Sequence, residues 1–128
     1  MNINQEQFAR FAEAVKAGKV PGLKLEQTRP QDELQGTFYG FLMLEGQVVA
    51  KSFGEGWIIV IKCGPDILCA HIRRELTAAG WDVRLHLSEP ASDSFLLIGN
   101  LDSQSFHEGS ELDWHIAAWL THLERETK

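Results

Sequence analysis

His115 and His122 stand seven residues apart with Trp119 between them, in a segment that reads as the last helix of the chain. Both imidazoles therefore fall on one edge of that helix, about 10 Å apart along its axis. One tetrahedral zinc ion, with Zn–N bonds of about 2.0–2.1 Å, cannot join them without help. A metal centre would need His107 or a carboxylate from the preceding loop, and a small metal-assisted hydrolase is the enzyme such a centre would make. A second grouping, Cys63, Cys69 and His71, contains a thiol and a base. A dyad needs both groups within hydrogen-bond reach, whereas two residues along a helix turn side chains roughly 200° apart. Both cysteines are expected to be buried and unreactive. No nucleophile elbow, phosphate-binding loop, dinucleotide glycine pattern or paired zinc cysteines occur. The expectation is no catalytic residue, no metal and no cofactor.

Charge distribution is more informative. Between Leu85 and Glu124 there is no lysine or arginine, yet the segment holds seven carboxylates: Glu89, Asp93, Asp102, Glu108, Glu111, Asp113 and Glu124. It also holds four of the five histidines, His86, His107, His115 and His122. The segment is formally −7 and the remaining residues sum to +1, which gives the chain its net charge of −6. A surface of one sign favours a basic partner and repels phosphate, so a basic protein is expected and a nucleic acid is not. Asp102, Glu108, Glu111 and Asp113 crowd around the start of the last helix. Surrounded by carboxylates, His115 and His122 are expected to hold their protons more tightly than usual.

Trp114 adds a contact residue. If Leu112, Ile116, Trp119, Leu120 and Leu123 form the inward stripe of the last helix, Trp114 points to the opposite side. Ala117 and Ala118 there are small enough to admit a neighbour. An outward tryptophan beside alanines suits an interface anchor. Internal packing on both sides of the helix, as in a three-layer domain, is the competing explanation. The candidate partner-binding set is Trp114, Asp102, Glu108, Glu111, Asp113 and Ala118.

These residues need elements to hold them. At 128 residues and 44% hydrophobic, the chain has the size and composition of one globular domain, residues 1–128. No apolar run approaches the eighteen or so residues of a membrane span. The amino terminus has no signal-peptide pattern, so a cytoplasmic location with reduced thiols is expected. Residues 4–17 predict a helix: Asn4 and Gln7 suit a capping box, Ile3 and Phe8 a staple, and Phe8, Phe11, Ala12 and Val15 share one face. Strands are expected near 22–28, 38–44, 47–53 and 57–62, with Glu45-Gly46 as a hairpin turn.

A middle helix follows from Gly64-Pro65-Asp66, with Leu68, Ile72, Leu76 and Ala79 inward. Gly80 is expected to close it as a left-handed cap, with Trp81 packed back on Leu76. Residues 82–88 alternate, with Val83, Leu85 and Leu87 inward; 95–101 reads as a buried strand and 102–109 as a polar loop. Ser110 and Asp113 then resemble a capping box for the last helix. The predicted order is α-β-β-β-β-α-β-β-α, an α+β fold. The first and last strands of the central group are apolar at odd and even positions alike, so that sheet needs cover on both faces.

The opening helix FARFAEAV, central meander, middle helix ILCAHIRREL, late strands VRLHL and FLLIG, and closing helix IAAWLTHL together resemble the type III secretion chaperone fold. That family has three strands before its middle helix where four are expected here. The resemblance implies a small dimeric domain that holds a partner polypeptide in extended form. Acidic immunity and inhibitor proteins would share the composition. The resulting expectation is a non-catalytic, chaperone-like or inhibitor-like protein-binding domain, a homodimer with a basic partner.

Overall fold

The computed structural model describes residues 3–27, 40–53, 56–59, 64–90, 93–99 and 103–126. The order is α1 (Gln5–Lys16), β1 (Leu23–Gln27), β2 (Gly40–Leu44), β3 (Gln47–Phe53), β4 (Gly56–Ile59), α2 (Gly64–Ala78), β5 (Asp82–His86), β6 (Phe95–Gly99), β7 (Ser103–Phe106) and α3 (Glu111–Glu126). The fold is α+β, with two antiparallel sheets ordered β1-β2-β3-β4 and β5-β6-β7. Strand β7 corrects the expectation of a loop over 102–109. Its sequence, SQSF, is short and polar enough to carry no apolar alternation.

Local signals account for most boundaries. The Asn4 side chain caps α1 by accepting from the Gln7 N–H. Glu45 and Gly46 have φ values of 51° and 85°, the left-handed pair that a two-residue hairpin turn requires. Helix α2 ends in a Schellman motif: the Gly80 N–H donates to the Thr77 carbonyl and the Trp81 N–H to that of Leu76. Gly80 sits at φ 102°, and Trp81 and Leu76 are both buried in the core. Ala79, expected inward, is exposed, because the helix has ended before its side chain can face the core.

The helices lie between the two sheets. Helix α1 packs on β1 and β4, α2 on β3 and β5, and α3 on β6 and β7, while α1 and α2 also pack on α3. Phe8, Phe11, Leu42, Leu68, Ile72, Leu76, Leu96, Ile98, Leu112 and Ile116 form the fully buried centre. Leu87, expected inward, lies one residue past β5 and is 62% exposed. Gln5 ties α1 to the rim of the first sheet: its side-chain amide donates to the Trp57 carbonyl at 3.0 Å and its oxygen accepts from the Trp57 N–H at 2.7 Å. One glutamine thus occupies backbone groups that an edge strand would otherwise offer to another chain. Among the described residues, no helix is long and apolar enough to cross a membrane.

Two glycines separate backbone strain from crowding. Gly80 has open space where a Cβ would stand, whereas at Gly22 (φ 83°) a Cβ would come within 2.6 Å of the His71 ring. Gly80→Ala should cost about 1 kcal/mol, from strain alone, and Gly22→Ala distinctly more. Urea unfolding of both variants checks this, and equal losses would contradict the packing of His71 on Gly22.

Candidate functional site

A cavity of about 260 Å³ opens where α1, β7 and α3 converge, and of the candidate residues it collects Glu108, Asp113 and Trp114, but not Glu111 or Ala118. Asn4 and Gln7 line it from α1, Ser105, Phe106, His107 and Glu108 from β7 and the turn after it, and Asp113, Trp114 and Ala117 from α3. Glu108 and His107 are exposed at its rim, and Glu111 is exposed in the first turn of α3. Asp102 and Cys63 lie outside the described residues. Among the described residues, no lysine or arginine lines the cavity.

Asp113 holds this corner together. One carboxylate oxygen accepts from the Asn4 N–H at 2.9 Å, and the other accepts from the Ser110 N–H at 2.9 Å and the Ser110 hydroxyl at 3.1 Å. The Gln7 side-chain amide, expected to turn back on Asn4, reaches the Asp113 carbonyl at 2.9 Å instead. A carboxylate at two helix N-termini answers unpaired N–H groups and the positive ends of both dipoles. Gly109 (φ 81°) brings its backbone so close to the Asp113 carboxylate that a Cβ would collide with it. Only 5% of Asp113 is exposed, so it builds the cavity and does not present a free charge.

The outward orientation expected of Trp114 is corrected here. Trp114 is only 6% exposed and Ala118 is fully buried. The second sheet covers one side of α3 and the other two helices cover another. Trp114 forms a wall of the cavity, and its indole N–H is buried without a hydrogen-bond partner in the described structure.

The expectation for His115 is corrected too. His115 is completely buried. Its Nε2 accepts from Arg73 at 2.8 Å, so Nδ1 carries the proton and donates to the Glu111 carbonyl at 2.6 Å. Burial, reinforced by the Arg73 charge and opposed by the Glu111 carbonyl, pushes its pKa down to about 4, not up. His122 is buried as well: Nδ1 accepts from the Trp81 indole at 2.9 Å and Nε2 lies 3.5 Å from Glu126. His122 and Trp119 line a separate cavity of about 260 Å³ with Lys19 and Glu75. The structure therefore does not bring His107, His115 and His122 together, and no metal-holding group of three or more His, Cys, Asp or Glu exists among the described residues. Burial also pushes the Cys69 thiol up to about 12, which leaves it a poor nucleophile.

Residues that the sequence did not single out complete the site. Phe106 and Ser105 belong to the unexpected strand, and the aromatic ending SQSF was the only local hint of them. Nothing in the sequence places Arg73 against His115, 42 positions away.

Asp113→Ala should lose roughly 3 kcal/mol, since hydrogen bonds to a charged group contribute about 1.5–3 kcal/mol each and do not add fully. A urea midpoint near wild type would contradict its role as the joint. His115 sets a pH dependence. Its folded pKa lies below the unfolded value near 6.5, so the unfolded chain binds the proton more readily. Its contribution is complete above pH 6.5 and falls as pH drops toward 4, by on the order of 3 kcal/mol. Unfolding at pH 7.5 and 4.5 should show a smaller acid loss in His115→Gln than in wild type. Comparison with protein-family models, curated proteins and solved structures yields no match to this chain.

Proposed function

We propose that this is a non-catalytic protein-binding domain that holds an extended basic segment of a partner protein along β7, with a side chain of that segment in the adjoining cavity. The observation that carries this reading is the meeting of a sheet edge with a cavity that has apolar wall and the exposed Glu108 carboxylate at its rim. Strand β7 pairs with β6 on one side, and no strand pairs with its other edge among the described residues. An extended peptide can join such an edge by main-chain hydrogen bonds and gain specificity from a pocket beside it. Phe106, Trp114 and Ala117 supply apolar wall, and Glu108 supplies charge at the mouth. A lysine or arginine suits that combination: its methylene stem packs on the rings while its head stays near the carboxylate.

The chaperone resemblance agrees with this reading, since it implies a client held in extended form. Inhibitor-like capture of a basic protein surface would use the same carboxylates. Glu108 and Glu111 act as the accessible charges, whereas Asp113, Trp114 and Ala118 act as scaffold beneath them. A cytoplasmic location belongs to the same proposal.

Affinity capture from the native host should recover a basic protein at near-stoichiometric yield. Peptides tiled across that protein should then identify one extended segment. Ala117→Trp, which fills the cavity, and Glu108→Lys should each weaken that peptide by about tenfold or more. N-methylation of alternate peptide amides should abolish binding by removing strand pairing. Unchanged affinity in both variants, or full binding of the methylated peptide, would sink this reading.

A further inference from the structure

The first sheet has a second face, turned away from the helices. On the inner face, Leu23, Leu42, Leu44, Ala50, Trp57 and Ile59 are buried in the core. Alternation sends their neighbours outward, and the register arranges them in two rows. One row runs Glu26, Phe41, Lys51, Ile58 across β1 to β4, and the other runs Lys24, Met43, Val48 across β1 to β3. Phe41, Met43 and Val48 are half-buried and Ile58 is 56% exposed. A wet face of an antiparallel sheet ordinarily carries polar residues. Here an apolar centre lies between a carboxylate on β1 and an ammonium group on β3.

We propose that this face docks a second copy of the chain about a two-fold axis running along β2. The charge pattern selects that occupant. Rotation about an axis along β2 exchanges the positions of β1 and β3 within each row. Phe41 and Met43 then meet their own counterparts, while Glu26 of each chain faces Lys51 of the other. The same operation sets Lys24 near Val48, where its long stem can lie on apolar surface. A two-fold interface must complement itself, and this row does so in charge as well as apolarity. The strands of the two copies run nearly aligned, the ordinary arrangement for twisted sheets packed face to face at about 10 Å. Because it uses the other sheet, the inference is independent of the client-binding reading.

Sedimentation equilibrium over a wide concentration range tests it. Wild type should show a reversible monomer–dimer equilibrium. Glu26→Lys places lysine against Lys51 at both contacts, and Lys51→Glu places glutamate against Glu26. Each variant alone should weaken the dimer by about tenfold or more. The double variant, and an equimolar mixture of the two single variants, should both regain it, since every contact again pairs opposite charges. These positions are exposed, and native-like circular dichroism will verify that all variants fold. A wild type that stays monomeric overturns the proposal, as does a dimer indifferent to the single changes. Failure of both the double variant and the mixture to recover dimer overturns the axis along β2.

Discussion

The Asp113 carboxylate joins segments 109 residues apart: it accepts from the backbone of Asn4, at the start of α1, and from Ser110, at the start of α3. Both helices begin with unpaired N–H groups, and burying two such ends side by side without an acceptor would leave several polar groups unsatisfied. One buried anion resolves both ends at once and forces the two helix starts to converge. The convergence determines the rest of the corner. Gly109 must lack a side chain to let the carboxylate in, Gln7 is drawn across to the Asp113 carbonyl, and β7 is brought beside the opening.

Once α3 is fixed by its first turn, the residues from Leu112 to Ile116, with Ala118, Trp119 and His122, are committed to the interior. Its neighbours are the second sheet and the other two helices, so side chains expected on opposite sides are buried together. The consequence for chemistry is direct. A histidine on a solvated acidic surface would gain protons, but His115, taken out of water beside Arg73, loses them. Its ring serves as a neutral bridge between Arg73 and the Glu111 carbonyl. The acidic character of the segment survives at exposed members such as Glu108, at the rim of the cavity, and Glu111, in the first turn of α3, whereas Asp113 is buried.

The two sheets consequently offer different kinds of surface. The second ends in a short polar strand beside a cavity with an acidic mouth, suited to an extended chain. The first presents a partly apolar face with Glu26 on β1 and Lys51 on β3 at either side of Phe41. Its β4 rim is already occupied at Trp57 by the Gln5 side chain. A client at one sheet and a second copy at the other would not compete, because the helical layer lies between them.

Features governed by neighbouring residues were legible in the amino-acid sequence. The Asn4 cap, the Glu45-Gly46 turn, the Gly80 and Trp81 closure of α2, the apolar stripe of α1 and the Ser110–Asp113 cap each depend on a few consecutive dihedrals and hydrogen bonds. The α+β class followed from their order. Local pattern could not reveal β7, whose four residues become a strand only because β6 supplies the pairing. Nor could it orient Trp114 or set the state of His115. A helical wheel ranks faces by polarity, but burial depends on how many elements pack around the helix, and that number is a property of the assembled layers. Asp113 belongs to both categories: its capping of α3 is local, whereas its bond to Asn4 exists only once the chain has folded.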